Sequence, residues 1–411
     1  MERLEKRNEI RISYQIEIIN ILRKGRRTIT EIANILGVSF TAISHIVDDL
    51  IKIGLVKYTD KQQLKTRGRN PVLVELNCNQ GVVCSVDFSS FDIRVVLSTL
   101  DSNKVIEDTI PNVKYLTKTV LEQIEALIKK LLEAPEVKGR KLLSICIASP
   151  GLIRPDNFEF VASRRIKDNN VINPVTYLTN AFNVKVEMHN EVRLGCLAEM
   201  KFGVFPKKPF NGLFIHIGFY SGLTPIINGK IFKGSNGFSG ETPVFVGDDE
   251  IIIGSRWNTC FFPIWEIERA IHRERKERLP SYDETVDLDR ILNDYKNGDP
   301  ITVKAVEESA KRNAMTIFGL ATILDLDCVV IEGKILEFGS QYLDLMRKDI
   351  NDFSPSECRT RILVSGLKEE CQTLGASYQA SSIYMKDLIE STTRERFDFP
   401  DYKLNEKYRE L

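Results

Sequence analysis

Residues 28–56, TITEIANILGVSFTAISHIVDDLIKIGLV, constrain the fold more than any other stretch of the chain. Their small and apolar residues recur at the spacing of two short helices joined by a tight turn. Ala33 stands where the first helix comes closest to the second, and Gly37 follows where the chain turns and a side chain would clash. Ile32, Leu36, Val38, Ile43 and Ile46 supply one shared apolar face. Thr28 with Glu31 has the form of a capping box, and Ser39 suits the N-cap of the second helix. A helix from Ser39 to Ile53 turns Ile43, Ile46, Val47 and Leu50 inward, leaving Phe40, Thr41, Ser44, His45 and Asp48 outward. This is the spacing of a DNA-reading helix-turn-helix. Ser39, Phe40, Thr41, Ser44 and His45 become candidate DNA contacts. Asp48 and Asp49 would be repelled by phosphates, so the far end of the helix is expected to tilt away from a duplex.

A two-helix hairpin also occurs in ordinary helical bundles, and the residues that follow decide between the two. Residues 55–58 and 71–76 read as short strands. Around and between them lie Lys57, Lys61, Lys65, Arg67, Gly68 and Arg69, a basic loop. The pattern is that of a winged helix-turn-helix, with Arg67 and Arg69 placed to enter a minor groove or clamp phosphates. A solvated surface loop is the alternative for the same residues.

Charge is distributed in the same sense. The chain has no net charge, but residues 1–75 carry fourteen Lys and Arg against nine Asp and Glu. A basic module on a mildly acidic body suits binding to DNA through one end. With 411 residues the chain exceeds one compact core and is expected to form two or three domains. The eight cysteines form no CxxC pair and several interrupt apolar runs, as in LLSICIAS, so they read as buried thiols of a reducing cytoplasm. With four histidines and no Cys/His ligand spacing, no metal site is expected. Neither a signal peptide nor an apolar run long enough for a bilayer is present, so a cytoplasmic protein without a membrane partner is expected.

From residue 82 the pattern turns strand-rich. Segments 82–88, 92–100 and 104–110 read as three strands, 117–134 as an amphipathic helix ended by Pro135, and 142–148 as a buried strand. The order returns with strands at 212–218, 223–229 and 241–247. Helical segments near 257–275, 283–295 and 301–324 precede a strand at 327–333, a helix near 335–350, a strand at 361–366 and a helix near 371–388. Two such halves imply a duplicated α/β body with a ligand cleft between them. The expected organisation is a winged helix-turn-helix over 1–76, a first α/β lobe over 77–190, a second over 191–390 and a tail over 391–411.

These residues resemble the ROK family, which contains sugar kinases and sugar-responsive repressors built on an actin-like, ribonuclease H-like ATPase fold. The resemblance rests on HNEVRLGCLAE, in which Asn190-Glu191 and the run from Gly195 to Glu199 align with the family's Asn-Asp segment. It rests also on Pro150-Gly151 after a strand, and on Gly229, Gly234, Gly237 and Gly240-Glu241 in NGKIFKGSNGFSGE. The resemblance implies that Gly151, Asn190, Glu191 and Glu241 face a sugar. In the loop that closes over the sugar, Arg164, Arg165 and Lys167 replace the family's apolar-Asn-Leu-Pro pattern; arginine binds anions bidentately, so a sugar or a sugar phosphate is the expected effector.

Against the kinase pattern, several parts differ. Asp87 of the first phosphate loop is followed by Phe88-Ser89-Ser90-Phe91 without glycine, and the second loop reads GFYSGL at 218–223 with Phe219 and Tyr220 in its path. Glycine backbone is what approaches phosphates closely. Glu191 stands where the kinases place the aspartate that takes the hydroxyl proton, and its extra methylene displaces the carboxylate. The family's zinc cluster is missing: Val244 stands at its histidine and only Cys260 falls nearby. A glycine pair at the adenosine end is reduced to Glu332-Gly333. The expectation is a non-enzymatic, cofactor-free repressor of carbohydrate-utilisation genes, acting as a homodimer or homotetramer on a double-stranded operator. An ATP-dependent sugar kinase of the same family is the alternative.

Overall fold

Ahead of the helix-turn-helix stands a helix that the spacing of 28–56 does not reveal. The computed structural model describes residues 2–59, 73–163, 172–240, 261–280, 286–353 and 360–394. It opens with α1 (Glu2–Leu22), then β1 (Arg27–Thr28), α2 (Ile29–Leu36), α3 (Phe40–Lys52), β2 (Val56–Tyr58) and β3 (Leu73–Leu76). The strands form a three-stranded sheet with β3 in the centre, pairing Val56 with Leu76 on one side and Thr28 with Leu73 on the other, both antiparallel. Ile18 and Leu22 of α1 join Ile32, Ile43, Val47, Leu50, Leu55 and Val74 in a core shut off from solvent. An apolar side chain there is worth about 2–5 kcal/mol against alanine.

The body follows with β4 (Gly81–Asp87), β5 (Ile93–Ser98), β6 (Lys104–Ile110), α4 (Lys118–Leu132), β7 (Lys141–Ser149), the short pair β8 (Leu152–Ile153) and β9 (Phe160–Ala162), α5 (Pro174–Phe182) and β10 (Lys185–Asn190). Next come α6 (Glu191–Phe202), β11 (Gly212–Ile217), β12 (Ser221–Ile227) and β13 (Lys230–Ile231). The chain continues with α7 (Ile264–Glu274), α8 (Leu288–Lys296), α9 (Pro300–Leu324), β14 (Cys328–Glu332), α10 (Ser340–Phe353), β15 (Arg361–Val364) and α11 (Cys371–Arg394).

Each half builds a five-stranded sheet of the same order. The first runs β10-β7-β4-β5-β6 and the second β15-β14-β11-β12-β13, so in both the opening strand lies at the centre with its hairpin partner on one side and the crossover strand on the other. In the second sheet β11 is antiparallel to β12 and parallel to β14, and β14 is parallel to β15. All seven residues of β4 and all five of β14 are buried, as central strands covered on both faces require. The expected strand at 241–247 lies outside the described residues; in the described sheet the third place belongs to β13.

The chain divides into two compact units. The first comprises Met1–Ile147, Ile166–Met188 and Ala376–Leu411; the second comprises Ala148–Arg165 and His189–Gly375. These units are cut differently from the segments expected from the sequence. The helix-turn-helix module shares a unit with the first α/β lobe, and α11 leaves the second lobe at Ala376. The reason is side-chain chemistry across long sequence separations. Ser377 Oγ lies 3.1 Å from both Ser85 Oγ and Ser98 Oγ, and Ser144 Oγ donates to Ala380 O at 2.7 Å. Tyr384 OH donates to Gln80 Oε1 at 2.8 Å. Arg23 donates through Nη2 to Ser381 Oγ at 2.8 Å and Ser382 Oγ at 3.1 Å, with its guanidinium 3.9 Å from the Tyr378 ring centre.

Candidate nucleic-acid interface and ligand site

The N-terminal module owes its shape to local hydrogen bonds. Thr28 Oγ1 accepts from Glu31 N–H at 3.1 Å while Glu31 Oε2 accepts from Thr28 N–H at 2.7 Å, closing the capping box. These bonds hold the Glu31 carboxyl below its usual range. Gly37 ends α2 with φ +64°, the left-handed region open to glycine, and Val38 N–H returns to Ala33 O at 3.1 Å. The chain then reverses into α3, inclined at 115° to α2, with Ser39 Oγ accepting from Ala42 N–H at 3.3 Å. On α3, Ile43, Ile46, Val47 and Leu50 are buried, whereas Ser39, Phe40, Thr41 and His45 are exposed and Ser44 is half-buried. The first two turns therefore present the five expected side chains on one surface.

The two aspartates separate. Asp48 accepts from Tyr58 OH at 3.1 Å, which ties the helix to β2. Asp49, expected with Asp48 to be repelled by phosphates, is instead buried and paired with Arg11 of α1, with Lys52 Nζ at 3.8 Å. Helix α1 supplies the cation, so any repulsion from a duplex falls on Asp48 alone. Lys57 is also engaged, 3.2 Å from Glu75 across the β2/β3 pair. Arg67 and Arg69 lie outside the described residues. Sequence reasoning passed over Lys24, Arg26 and Arg27, a basic run directly before the Thr28 cap. Lys24 and Arg26 are exposed, and the signal was the KGRR string itself.

In the second unit the strand-to-helix junction at Asn190 gathers the expected ligand residues. Asn190 Oδ1 accepts from Val192 N–H at 3.0 Å and Arg193 N–H at 3.2 Å, capping α6, while Nδ2 donates to Gly151 O at 3.4 Å. Gly151 has φ +111°, a conformation that places its carbonyl there at no side-chain cost. Glu191, the first residue of α6, is half-buried beside them. Arg193 Nη2 donates to Ser239 O at 3.0 Å and so holds the glycine-rich loop 234–240 against the same helix. At Gly240 a Cβ would stand 2.1 Å from Leu223 O, so only glycine lets the loop pass β12. The structure thus brings together Gly151, Asn190, Glu191 and the glycine loop. Glu241, Arg164 and Arg165 lie outside the described residues. His189, unnoticed in the sequence, packs its ring edge-on to Phe158 at 5.7 Å next to this junction.

The two loops that differ from the kinase pattern are both internally bonded. Asp87 is buried and its Oδ1 accepts from Ser89 N–H at 2.8 Å, with Phe88 in the core. At the second loop Gly218 N–H donates to Tyr220 O at 2.8 Å, and Gly218 O accepts from Ile264 N–H at 3.0 Å, seating α7 on the turn. Behind it, buried Glu332 lies 2.6 Å from His216 Nδ1 and accepts from Gln372 Nε2 at 3.2 Å. Among the described residues no group of three His, Cys, Asp or Glu side chains is placed to hold a metal ion, and no single helix is long and apolar enough to cross a membrane.

Comparison with known proteins gives both modules a counterpart. The model described as ROK family matches residues 83–382, and that described as bacterial regulatory protein, arsR family, matches residues 13–58. A xylose repressor of Caldicellulosiruptor bescii is 27% identical over 366 residues, covering 84% of this chain and 89% of its own. A xylose repressor of Bacillus subtilis (strain 168) is 23% identical over 376 residues, covering 89% and 94%. Among solved structures, a ROK family transcriptional regulator, a homolog of the E. coli MLC protein, superposes with a TM-score of 0.76 at 17% identity, covering 94% of this chain and 100% of that one. A ROK family glucokinase from Streptomyces griseus, in complex with glucose and AMPPNP, reaches 0.61 at 16% identity and covers 74% of this chain and 100% of its own. The expected fold class stands: a helix-turn-helix module followed by a duplicated body of the actin-like kinase fold.

Proposed function

Since the chain belongs to the ROK family, we propose that it is a DNA-binding, sugar-responsive transcriptional repressor. The observation that carries this reading is the exposed start of α3, Ser39 to His45, on a module joined in one chain to a sugar-kinase-like body. The xylose repressors that match over 84% and 89% of the chain support it. In this reading Ser39, Thr41, Ser44 and His45 hydrogen-bond to base edges in a major groove, and Phe40 meets a thymine methyl. Arg67 and Arg69 contact phosphates. The regulator acts in the cytoplasm as a homodimer or homotetramer on a palindromic operator.

The effector is a sugar held by Glu191, Glu241 and the Asn190–Gly151 junction, whose carboxylates and amides suit neighbouring hydroxyls. The names of the relatives favour a neutral pentose such as xylose, and two carboxylates at the site weigh against an anion. Arg164 and Arg165 favour a phosphorylated sugar, so both belong in the assay. The sugar shifts the regulator between a DNA-competent and an incompetent arrangement by its difference in affinity for the two. The body does no phosphoryl transfer: the Asp87 carboxylate is taken up by the Ser89 N–H, Phe88 fills the space beside it, and Glu191 stands at the catalytic aspartate.

The test is an electrophoretic shift assay on the DNA upstream of the neighbouring genes, over a range of salt, with xylose, glucose and their phosphates. A coupled ATPase assay with the same sugars runs beside it. Sequence-selective binding released by a sugar, without turnover, is expected; absence of any sequence preference, or sugar-dependent ATP hydrolysis, would overturn the reading. Glu191→Gln should weaken the response to sugar and leave DNA binding intact.

A further inference from the structure

Where α1 gives way to β1, the run Arg23-Lys24-Gly25-Arg26-Arg27 carries four cations and no acid. Their surroundings differ. Arg23 turns inward onto Tyr378 and Ser381 of α11. Arg27 is half-buried, and its Nη1 donates to Arg26 O at 2.8 Å, which fixes the backbone of its neighbour. Lys24 and Arg26 are exposed, and neither has an ion pair or a side-chain hydrogen bond among the described residues. Gly25 between them takes φ +121°, and nothing except Arg27 Nη1, at 3.9 Å, comes near the place of a Cβ, so the turn is open in front of both cations. The first carboxylate after the run, Glu31, is engaged by the capping box: Thr28 N–H and Thr28 Oγ1 both donate to its Oε2. Like charges left this way repel one another and add nothing to the stability of the module.

Helix α2 sets how far these cations stand from the base-reading surface. It has eight residues and is therefore about 12 Å long. Gly37 ends it, and α3 leaves at 115° to it with Ser39 and Phe40 at its start. A major groove is about 12 Å wide, so when the start of α3 lies in the groove the far end of α2 reaches the phosphates that border it. We propose that Lys24 and Arg26 form a phosphate clamp of their own, gripping the DNA backbone at the rim of the groove that α3 enters, with Arg27 holding the Arg26 backbone in position. The assignment rests on the DNA-binding reading and extends it to residues outside the helix-turn-helix and the 60–72 loop. Because the contact is to the backbone, it strengthens binding to every sequence and selects none.

Fluorescence anisotropy of the full chain on a labelled duplex of random sequence, over a range of potassium chloride, tests it without knowledge of the operator. Each neutralised phosphate contributes about 0.9 to the slope of log K against log salt. Lys24→Gln combined with Arg26→Gln should therefore make the slope shallower by about 2 and weaken binding about 60-fold at about 0.1 M salt, the loss fading toward about 1 M. The melting temperature should stay that of the wild type, since both side chains point into solvent. Lys207→Gln combined with Lys208→Gln removes the same charge from exposed positions of the second unit and should leave the slope as it is. An unchanged slope in the Lys24/Arg26 variant, or an equal fall in the Lys207/Lys208 variant, would overturn the clamp and leave the DNA-binding reading standing. A wild type without salt-dependent binding to the duplex would overturn both.

Discussion

Replacing Arg23 by methionine should leave the junction between the N-terminal module and α11 almost as stable as before, whereas alanine should weaken it strongly. Arg23 is 9% exposed and has no carboxylate partner among the described residues. One nitrogen, Nη2, donates to Ser381 Oγ, Ser382 Oγ and, at 3.4 Å, Tyr378 O, while buried Nε and Nη1 have no hydrogen-bond partner there. Burial accordingly pulls the guanidinium below its usual pKa, against the opposing pull of Tyr378 and Asp101. The charged hydrogen bonds contribute about 1.5–3 kcal/mol and the stacking on Tyr378 about 1–2 kcal/mol. The two unmet nitrogens, which carry three N–H groups, cost about 1–3 kcal/mol each, and the desolvated charge adds to that. Methionine removes both sides of this balance and keeps the volume. Ser381 and Ser382 retain their donor bonds to Leu100 O and Tyr378 O. The expected change is within about 1 kcal/mol, while alanine leaves a cavity worth about 2–4 kcal/mol. Hydrogen exchange read by mass spectrometry on peptides covering 18–25 and 376–384 measures this locally. Arg23→Met should exchange within about fivefold of wild type and Arg23→Ala about 30- to 1,000-fold faster. If methionine accelerated exchange a hundredfold or more, the guanidinium would be a net source of stability and the balance drawn here would be wrong.

Other outcomes follow from the sites described. The Glu31 carboxyl has a depressed pKa in the folded chain, so its stabilising contribution is present above the ordinary value near 4.5 and is lost as pH falls through the folded value. Wild type and Glu31→Gln should differ in melting temperature at pH 7 and converge in acid. Asn190→Ala removes an N-cap that accepts two backbone N–H groups and should cost about 1 kcal/mol in urea unfolding, whereas Asn190→Asp, which keeps the acceptors, should cost much less. Site-resolved alkylation of the native chain at pH 8 should reach half-buried Cys78, pushed up to about 11, before Cys84, Cys146 and Cys196, which burial raises further; rapid labelling of Cys146 would contradict its placement in the core. Replacing Ser44 and His45 should abolish discrimination among DNA sequences, and replacing Arg67 and Arg69 should weaken binding to all of them with a shallower salt dependence, read by fluorescence anisotropy on operator and random duplexes.

What the sequence determined by itself is local. The capping box at Thr28 and Glu31, the glycine reversal at Gly37, the Ser39 cap and the buried stripe from Ile43 to Leu50 all involve residues within a few positions of one another, where hydrogen-bond geometry and helical period leave few options. The strand-strand-strand-helix-strand order of the first half was legible for the same reason, and so in the second half were the strands near 212–218, 223–229, 327–333 and 361–366. So was the Asn190 junction, because a polar cap directly after a strand marks a turn into helix.

Tertiary structure alone decided which distant residues meet. Asp49 looked like a surface charge until α1 brought Arg11 to it from 38 positions away. Helix α11 looked like the last element of the second lobe, yet Ser377, Tyr378 and Ser381 bond to residues 279 to 358 positions earlier and carry most of the helix into the first unit. No period or spacing encodes such pairs, because their hydroxyls and carboxylates would be equally content in water. Only the burial of the surrounding apolar surface removes that option and makes each of them find a partner.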